Sequence, residues 1–199
     1  MSIFDQSVLV VNQKAKIIEI NNEYAIFDAN GTQLGAVRQV GQSKLRKVLR
    51  VVSSVDQFLT TKLEVSDITD GVILQLTRPA KFLKSKVVVS DGTGKEIGRI
   101  VQQNMIGKIK FSLEAGDRTL GSINAENWRA WDFNIQDAQG TEVARIQKKW
   151  EGIVKNVFTT ADNYVVNIPK PLSDPLRSLV IAAALSVDTA LKQDSRGLS

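Results

Sequence analysis

The sequence predicts a mainly β protein, a closed antiparallel barrel of about twelve strands around a hydrophobic C-terminal helix, with one further amphipathic helix near residues 44–60. Three observations carry that prediction. About a dozen short β-rich segments are separated by turn signals, one turn motif recurs along the chain, and residues 176–191 make a helical stretch apolar on nearly every side. Strands in that number leave unpaired edges unless the sheet closes on itself. A barrel that wide is not filled by its own side chains, and a helix apolar all round must be enclosed by protein or by lipid.

The elements follow in order. Residues 8–11 and 16–20 read as strands, then 24–27 leads into the turn Asp28-Ala29-Asn30-Gly31 and a returning strand that ends near Val40. Aspartate opens such a turn by accepting backbone amides, glycine takes the positive φ, and a small residue (Gly35) follows in the outgoing strand. The motif returns as Asp91-Gly92-Thr93-Gly94 with Gly98, and as Asp137-Ala138-Gln139-Gly140 with Ala144. Residues 86–89 and 132–135 enter those two turns, and strands ending near Gln102 and Lys148 leave them. Residues 114–123, with Gly116 and Gly121, are a fainter fourth copy. Residues 62–65, 72–77, 108–113 and 164–168 complete the strands. Between the first hairpin and 62–65, Leu45, Val48, Leu49, Val52, Val55 and Leu59 share one face of a helix.

For the C-terminal helix, Asp174 reads as N-cap and Pro175 as first helical residue. Leu176, Leu179, Val180, Ala183, Ala184, Leu185, Val187 and Leu191 are its expected buried positions, and Ala182 to Ala184 allow close approach of the wall. Sixteen residues rise about 24 Å. That is short of the ~20 apolar residues of a membrane span, and Arg177 and Asp188 interrupt the stretch, so burial in protein is expected. No glycine-rich or proline-rich linker divides the chain. One domain is expected over 1–199, with its core at about 8–191 and a polar tail at 192–199.

Composition narrows the chemistry. The chain has no cysteine and no histidine, which removes thiol and serine–histidine nucleophiles, most zinc sites and the commonest general base near neutral pH. No covalent catalysis is expected. A net charge of +5 favours anionic partners. The first residues show no basic signal region and Ser2 excludes N-myristoylation, so a cytoplasmic location is expected.

Two basic groups are candidates for anionic lipid. Lys44, Arg46, Lys47 and Arg50 lie opposite or beside the apolar stripe of the 44–60 helix, as in helices that rest on acidic membranes, and Arg145, Lys148 and Lys149 sit beside Trp150. The plainer reading, which weighs more for both groups, is solvated charge: a helix stripe packed on the barrel with its cations in water, and an exposed strand end. Asp162, Asn163 and Asp174 offer the oxygen ligands calcium takes, although neighbouring strand residues point to opposite faces and the same side chains suit a turn and a helix cap. Gly92 to Gly98 lacks the spacing and the following helix of a phosphate loop. Trp128, Trp131 and Trp150 read as packing residues, and no nucleic-acid motif accompanies them.

The segment Phe158-Thr-Thr-Ala-Asp162-Asn163-Tyr164-Val-Val-Asn-Ile-Pro169, followed by a proline turn and an apolar helix containing Asp188, resembles the C-terminal signature of phospholipid scramblases. The run from Asp67 through Leu76-Thr77-Arg78-Pro79 to Asp91, the Trp128-x-x-Trp131-Asp132-Phe133 element and Lys148-Lys149-Trp150-x-Gly152 are similar to that family and to LURP-one-related proteins of the tubby C-terminal-like superfamily. The resemblance spans about 24–191. It implies a twelve-stranded barrel around a central helix and a cytoplasmic protein placed peripherally at the inner face of the membrane. It further implies binding of acidic phospholipids, phosphoinositides included, and movement of phospholipids between leaflets. The other reading is a soluble protein- or nucleic-acid-interaction module of the tubby-like type, without lipid transport. The palmitoylated cysteines and proline-rich arm of animal scramblases are not in this sequence. Their calcium motif is matched at Asp162 and Asn163 and conservatively at Tyr164, but Thr160 stands where its first acid would be and Asp174 is offset. Calcium is the one cofactor the resemblance implies.

Overall fold

The computed structural model of the chain describes residues 2–12, 22–41, 60–79, 85–104, 110–127, 132–148 and 163–194, with the backbone alone for 22, 23, 126, 127 and 187–194. Its strands are β1 (Val8–Asn12), β2 (Asn22–Phe27), β3 (Gln33–Val40), β4 (Thr61–Asp67), β5 (Gly71–Arg78) and β6 (Lys86–Asp91), then β7 (Glu96–Gln102), β8 (Lys110–Ala115), β9 (Arg118–Asn127), β10 (Asp132–Asp137), β11 (Glu142–Gln147) and β12 (Asn163–Asn167). A helix, α1 (Leu176–Asp194), follows. Each strand pairs antiparallel with the next, and β12 pairs with β1 to close the barrel. The predicted architecture is the observed one. The strand expected at 16–20 and, apart from Thr60, the helix expected at 44–60 lie outside the described residues.

Three hairpins, β2–β3, β6–β7 and β10–β11, are built alike. Asp28, Asp91 and Asp137 each accept two backbone amides on Oδ1, from the residues two and four positions on, at 2.8–3.0 Å. Gly31, Gly94 and Gly140 sit at φ of 87°, 91° and 81°, where any other residue is strained. Each hairpin also carries a register shift one or two residues before its aspartate. Such bulges deepen the twist that lets a sheet curl shut.

Along each strand, side chains alternate between the barrel interior and its outside. The inward set is apolar, for example Leu63 and Val65 on β4, Leu74 and Leu76 on β5, and Phe133 and Ile135 on β10. Outward positions carry Arg38, Glu64, Arg99, Glu114 and Arg145. That is the reverse of a barrel immersed in lipid.

The helix occupies the interior. Nine consecutive residues, Ser178 to Ser186, are buried, so every face of α1 meets protein. No described helix is long and apolar enough to cross a membrane. A Cβ added to Gly98 of β7 would collide with the Glu114 carbonyl and lie 3.2 Å from both terminal methyls of Leu179, so glycine there lets the helix lie close to the wall. The helix begins at Leu176, one residue later than predicted, because Pro175 precedes the first helical residue. It also runs to Asp194, three residues into the expected polar tail. The Asp174 carboxylate still caps it, accepting from Ser178 Oγ at 2.7 Å and Ser178 N at 3.3 Å.

The two ends of the barrel are unlike. One, the turn end, holds the short links β2–β3, β4–β5, β6–β7, β8–β9 and β10–β11, and there the chain enters β1 and passes from β12 to α1. A short 3-10 helix, Ile3–Asp5, lies at this entrance with Ile3 fully buried. Asp67, at the end of β4, holds it in place by accepting Ile3 N at 2.8 Å and Ser2 Oγ at 3.2 Å, together with both the amide and the hydroxyl of Thr69. The Arg177 guanidinium lies 4.9 Å above the Phe4 ring, tying the same segment to α1. The opposite end, the loop end, is where the longer connections begin and finish.

Candidate functional site

Charged side chains at the loop end are arranged by strand alternation. Lys62, Lys86 and Lys110 stand at or next to the first residue of β4, β6 and β8, and each opposes an inward apolar neighbour, Leu63, Val87 and Phe111. All three therefore point outward. Lys62 and Lys110 are exposed and Lys86 is half-buried. None of the three forms an ion pair among the described residues. Lys148, immediately after β11, is exposed at the same end. Just inside, Arg78 of β5 donates to Thr61 Oγ1 at 3.0 Å, and Gln102 of β7 accepts from Ser85 N at 3.1 Å.

The residues singled out by sequence divide three ways. Lys44, Arg46, Lys47, Arg50, Lys149, Asp162 and the three tryptophans lie outside the described residues. Arg145 lies on the outer wall between two acids, with Nε 2.7 Å from Glu142 Oε1 and Nη1 3.0 Å from Asp132 Oδ1. The Arg145 hydrogen bond, against a smaller penalty from burial, holds the Glu142 carboxyl below its ordinary pKa, with help from Asn134. Of the helix residues, Leu179, Val180, Ala183, Ala184 and Leu185 are buried and Leu176 is half-buried, whereas the side chains of Val187 and Leu191 are outside the description. Ser178, Ile181, Ala182 and Ser186 are buried too.

Asn163 and Asp174 are not brought together. Asn163 opens β12 at the loop end and shares its outward face with Val165 and Asn167, since Tyr164 and Val166 belong to the core. Only 7% exposed, its carboxamide oxygen and nitrogen have no hydrogen-bond partner among the described residues. Asp174 lies beyond the other end of β12, about 13 Å of strand away, with its oxygens committed to Ser178 and Arg177. Burial raises the Asp174 carboxyl, but the Ser178 hydroxyl and the Arg177 guanidinium outweigh it and leave the pKa lowered. Among the described residues no three acids gather as a metal cluster.

The outward lysines of alternate strands were not visible as a group in the sequence. Positions 62, 86 and 110 are evenly spaced, and only the strand assignment shows that each begins at one end of the same barrel.

Comparison with known proteins gives a family. A model described as Scramblase matches residues 2–191. A phospholipid scramblase family protein of Schizosaccharomyces pombe is 23% identical over 183 aligned residues, covering 82% of this chain and 46% of that protein. The Saccharomyces cerevisiae protein named altered inheritance rate of mitochondria protein 25 is 28% identical over 171 residues, covering 73% of this chain and 51% of its own length. The chain thus spans about half the length of these curated relatives. No solved structure matches it.

Proposed function

This chain belongs to the Scramblase family, and from that premise we propose that it is a peripheral membrane protein that binds acidic phospholipids and moves phospholipids between leaflets. The family is not one of catalytic enzymes, in keeping with a chain that has neither cysteine nor histidine. The observation that carries the reading is the match of the family model across nearly the whole chain, reinforced by the first relative, whose name places it among phospholipid scramblases. Net positive charge, an outer wall of polar side chains and outward lysines at one end support contact with headgroups rather than immersion in the bilayer. We propose a place on the cytoplasmic face of a membrane, since acidic lipids concentrate there.

Two measurements on one preparation test it. Sedimentation with phosphatidylcholine vesicles containing phosphatidylserine is expected to pull the protein down, with pure phosphatidylcholine leaving it in solution, and the binding is expected to weaken steeply with salt. Equal binding to both vesicles refutes headgroup recognition. In vesicles with a labelled lipid, the protein is expected to speed loss of the inner-leaflet label to an external quencher. An unchanged rate with bound protein refutes transport and leaves a lipid-binding protein.

A further inference from the structure

We propose that the turn end of the barrel is a docking face for a basic, amphipathic segment of a partner protein. This does not rest on lipid binding, and it concerns the end that an acidic bilayer repels.

The face is built by a repeated irregularity. All five hairpins that join strands at this end carry a register shift, and in each the returning strand holds one residue more than its partner. The extra residue is Leu34, Ile73, Ile97, Leu120 or Val143, aliphatic every time. A bulge re-aims a side chain that strict alternation would send the other way. Leu34 belongs to the core, and the other four pack against it while keeping part of their surface in solvent. Phe4 and Leu172, also half-buried, complete the circle where β1 and β12 meet without a turn.

Sealing the barrel over the start of α1 accounts for the inner atoms of this rim. It does not account for Ile68, in the β4–β5 turn, whose amide donates to the Leu34 carbonyl at 2.8 Å. Ile68 is 64% exposed and is the one large hydrophobic side chain exposed among the described residues. An aliphatic side chain on a turn tip beside an apolar rim is placed as a binding anchor.

Charge identifies the occupant. Residues 2–7, 28–32, 67–71, 91–96, 115–118, 137–142 and 168–177, all described, make up this end and carry ten Asp and Glu against four Lys and Arg, in a chain whose net charge is +5. Such a face repels an acidic bilayer or a nucleic-acid backbone, and a second copy set turn end to turn end would bring like charges together. The complementary partner is a segment whose apolar side chains lie on Ile68 and the rim while its Lys and Arg meet the surrounding carboxylates.

The probe is a synthetic Leu/Lys peptide of about eighteen residues, roughly five turns of amphipathic helix, compared with a Ser/Lys peptide of equal charge and a Leu/Glu peptide. By fluorescence anisotropy at low salt the Leu/Lys peptide is expected to bind, the Ser/Lys peptide at least about tenfold more weakly, and the Leu/Glu peptide not at all. Ile68→Ser, and separately Asp70→Asn with Asp117→Asn, change exposed residues. Each is expected to weaken the Leu/Lys peptide about tenfold with the melting temperature unchanged. Glu64→Gln with Asp132→Asn, an equal change in charge on the outer wall, should weaken it about twofold or less. No binding, equal binding of the two Lys peptides, or equal loss in the wall variant overturns the docking face.

Because the chain has no cysteine, a single dye reports one end. On Gln139→Cys, in the β10–β11 turn, it is expected to respond to the Leu/Lys peptide, and on Thr60→Cys, at the loop end, it is not. A Gln139→Cys dye that responds to phosphatidylserine-containing vesicles instead makes this end a lipid surface. Self-association of the protein that is lost in Ile68→Ser makes it an interface between copies. Either result overturns the proposal.

Discussion

Asp67 joins two parts of the chain more than sixty residues apart, through bonds to Ser2 and Ile3. Burial pushes its carboxyl up, and the amide of Ile3, the hydroxyl and amide of Thr69 and the hydroxyl of Ser2 together bring it below the ordinary value. A carboxyl whose folded pKa lies below its unfolded value stabilises the protein fully above the unfolded pKa, near 4, and loses that contribution as pH falls through the folded one. Asp67→Asn turns an acceptor of four donors into a group that also donates, and is expected to destabilise by about 2–4 kcal/mol at pH 7. In urea titrations the variant should also lose less stability than wild type between pH 5 and pH 3. An unchanged pH dependence would remove Asp67 as a source of acid sensitivity. Gly98→Ala places a methyl against the Glu114 carbonyl and Leu179. It is expected to lower stability by about 1–3 kcal/mol or more, against about 1 kcal/mol for Gly94→Ala, whose cost is its positive φ alone. Thermal melts of the pair separate crowding from backbone strain.

At the scale of the element, α1 is a core side chain enlarged to nineteen residues. Leu179→Ala, fully inside the barrel, is expected to cost about 2–5 kcal/mol, and a loss under 1 kcal/mol by chemical denaturation would mean that the wall closes over the gap. The helix was legible because its residues are apolar on all sides, a pattern with few physical solutions. The three aspartate–glycine hairpins were legible because the bonds that build them span at most four residues. What could not be read is non-local. Ile3 resembles any apolar residue near a chain start until Asp67 is seen to receive its amide, and the crowding at Gly98 depends on a helix about eighty residues further on. The candidate site divides along the same line. Basic residues clustered in sequence, at 44–50 and 148–149, drew notice, whereas Lys62, Lys86 and Lys110 become neighbours only once β4, β6 and β8 share a rim. Arg145 looked like part of a basic cluster, and while Glu142 precedes it on its own strand, its other acidic partner, Asp132, comes from across the β10–β11 ladder.

For the whole molecule, the apolar interior and polar exterior place the energetic centre of the fold inside the barrel and leave the ends for contact with partners. Salt should therefore separate two properties. Raising ionic strength is expected to release the protein from acidic vesicles while leaving its melting temperature within a few degrees, because the core is apolar and surface pairs such as Arg99–Glu96 contribute at most about 1 kcal/mol. Parallel loss of binding and folding would tie the two together. The pairing of β1 with β12 has a consequence in time. Because that ladder joins the first strand to the last, the barrel cannot shut until residue 167 has been synthesised, and its filling, α1, arrives later still. Until then a nascent chain on the ribosome holds the first eleven described strands with an unfilled apolar lining and two open edges. Long-range pairing of this kind folds slowly and is exposed to aggregation, so the barrel is most vulnerable when its wall is nearly built and still hollow.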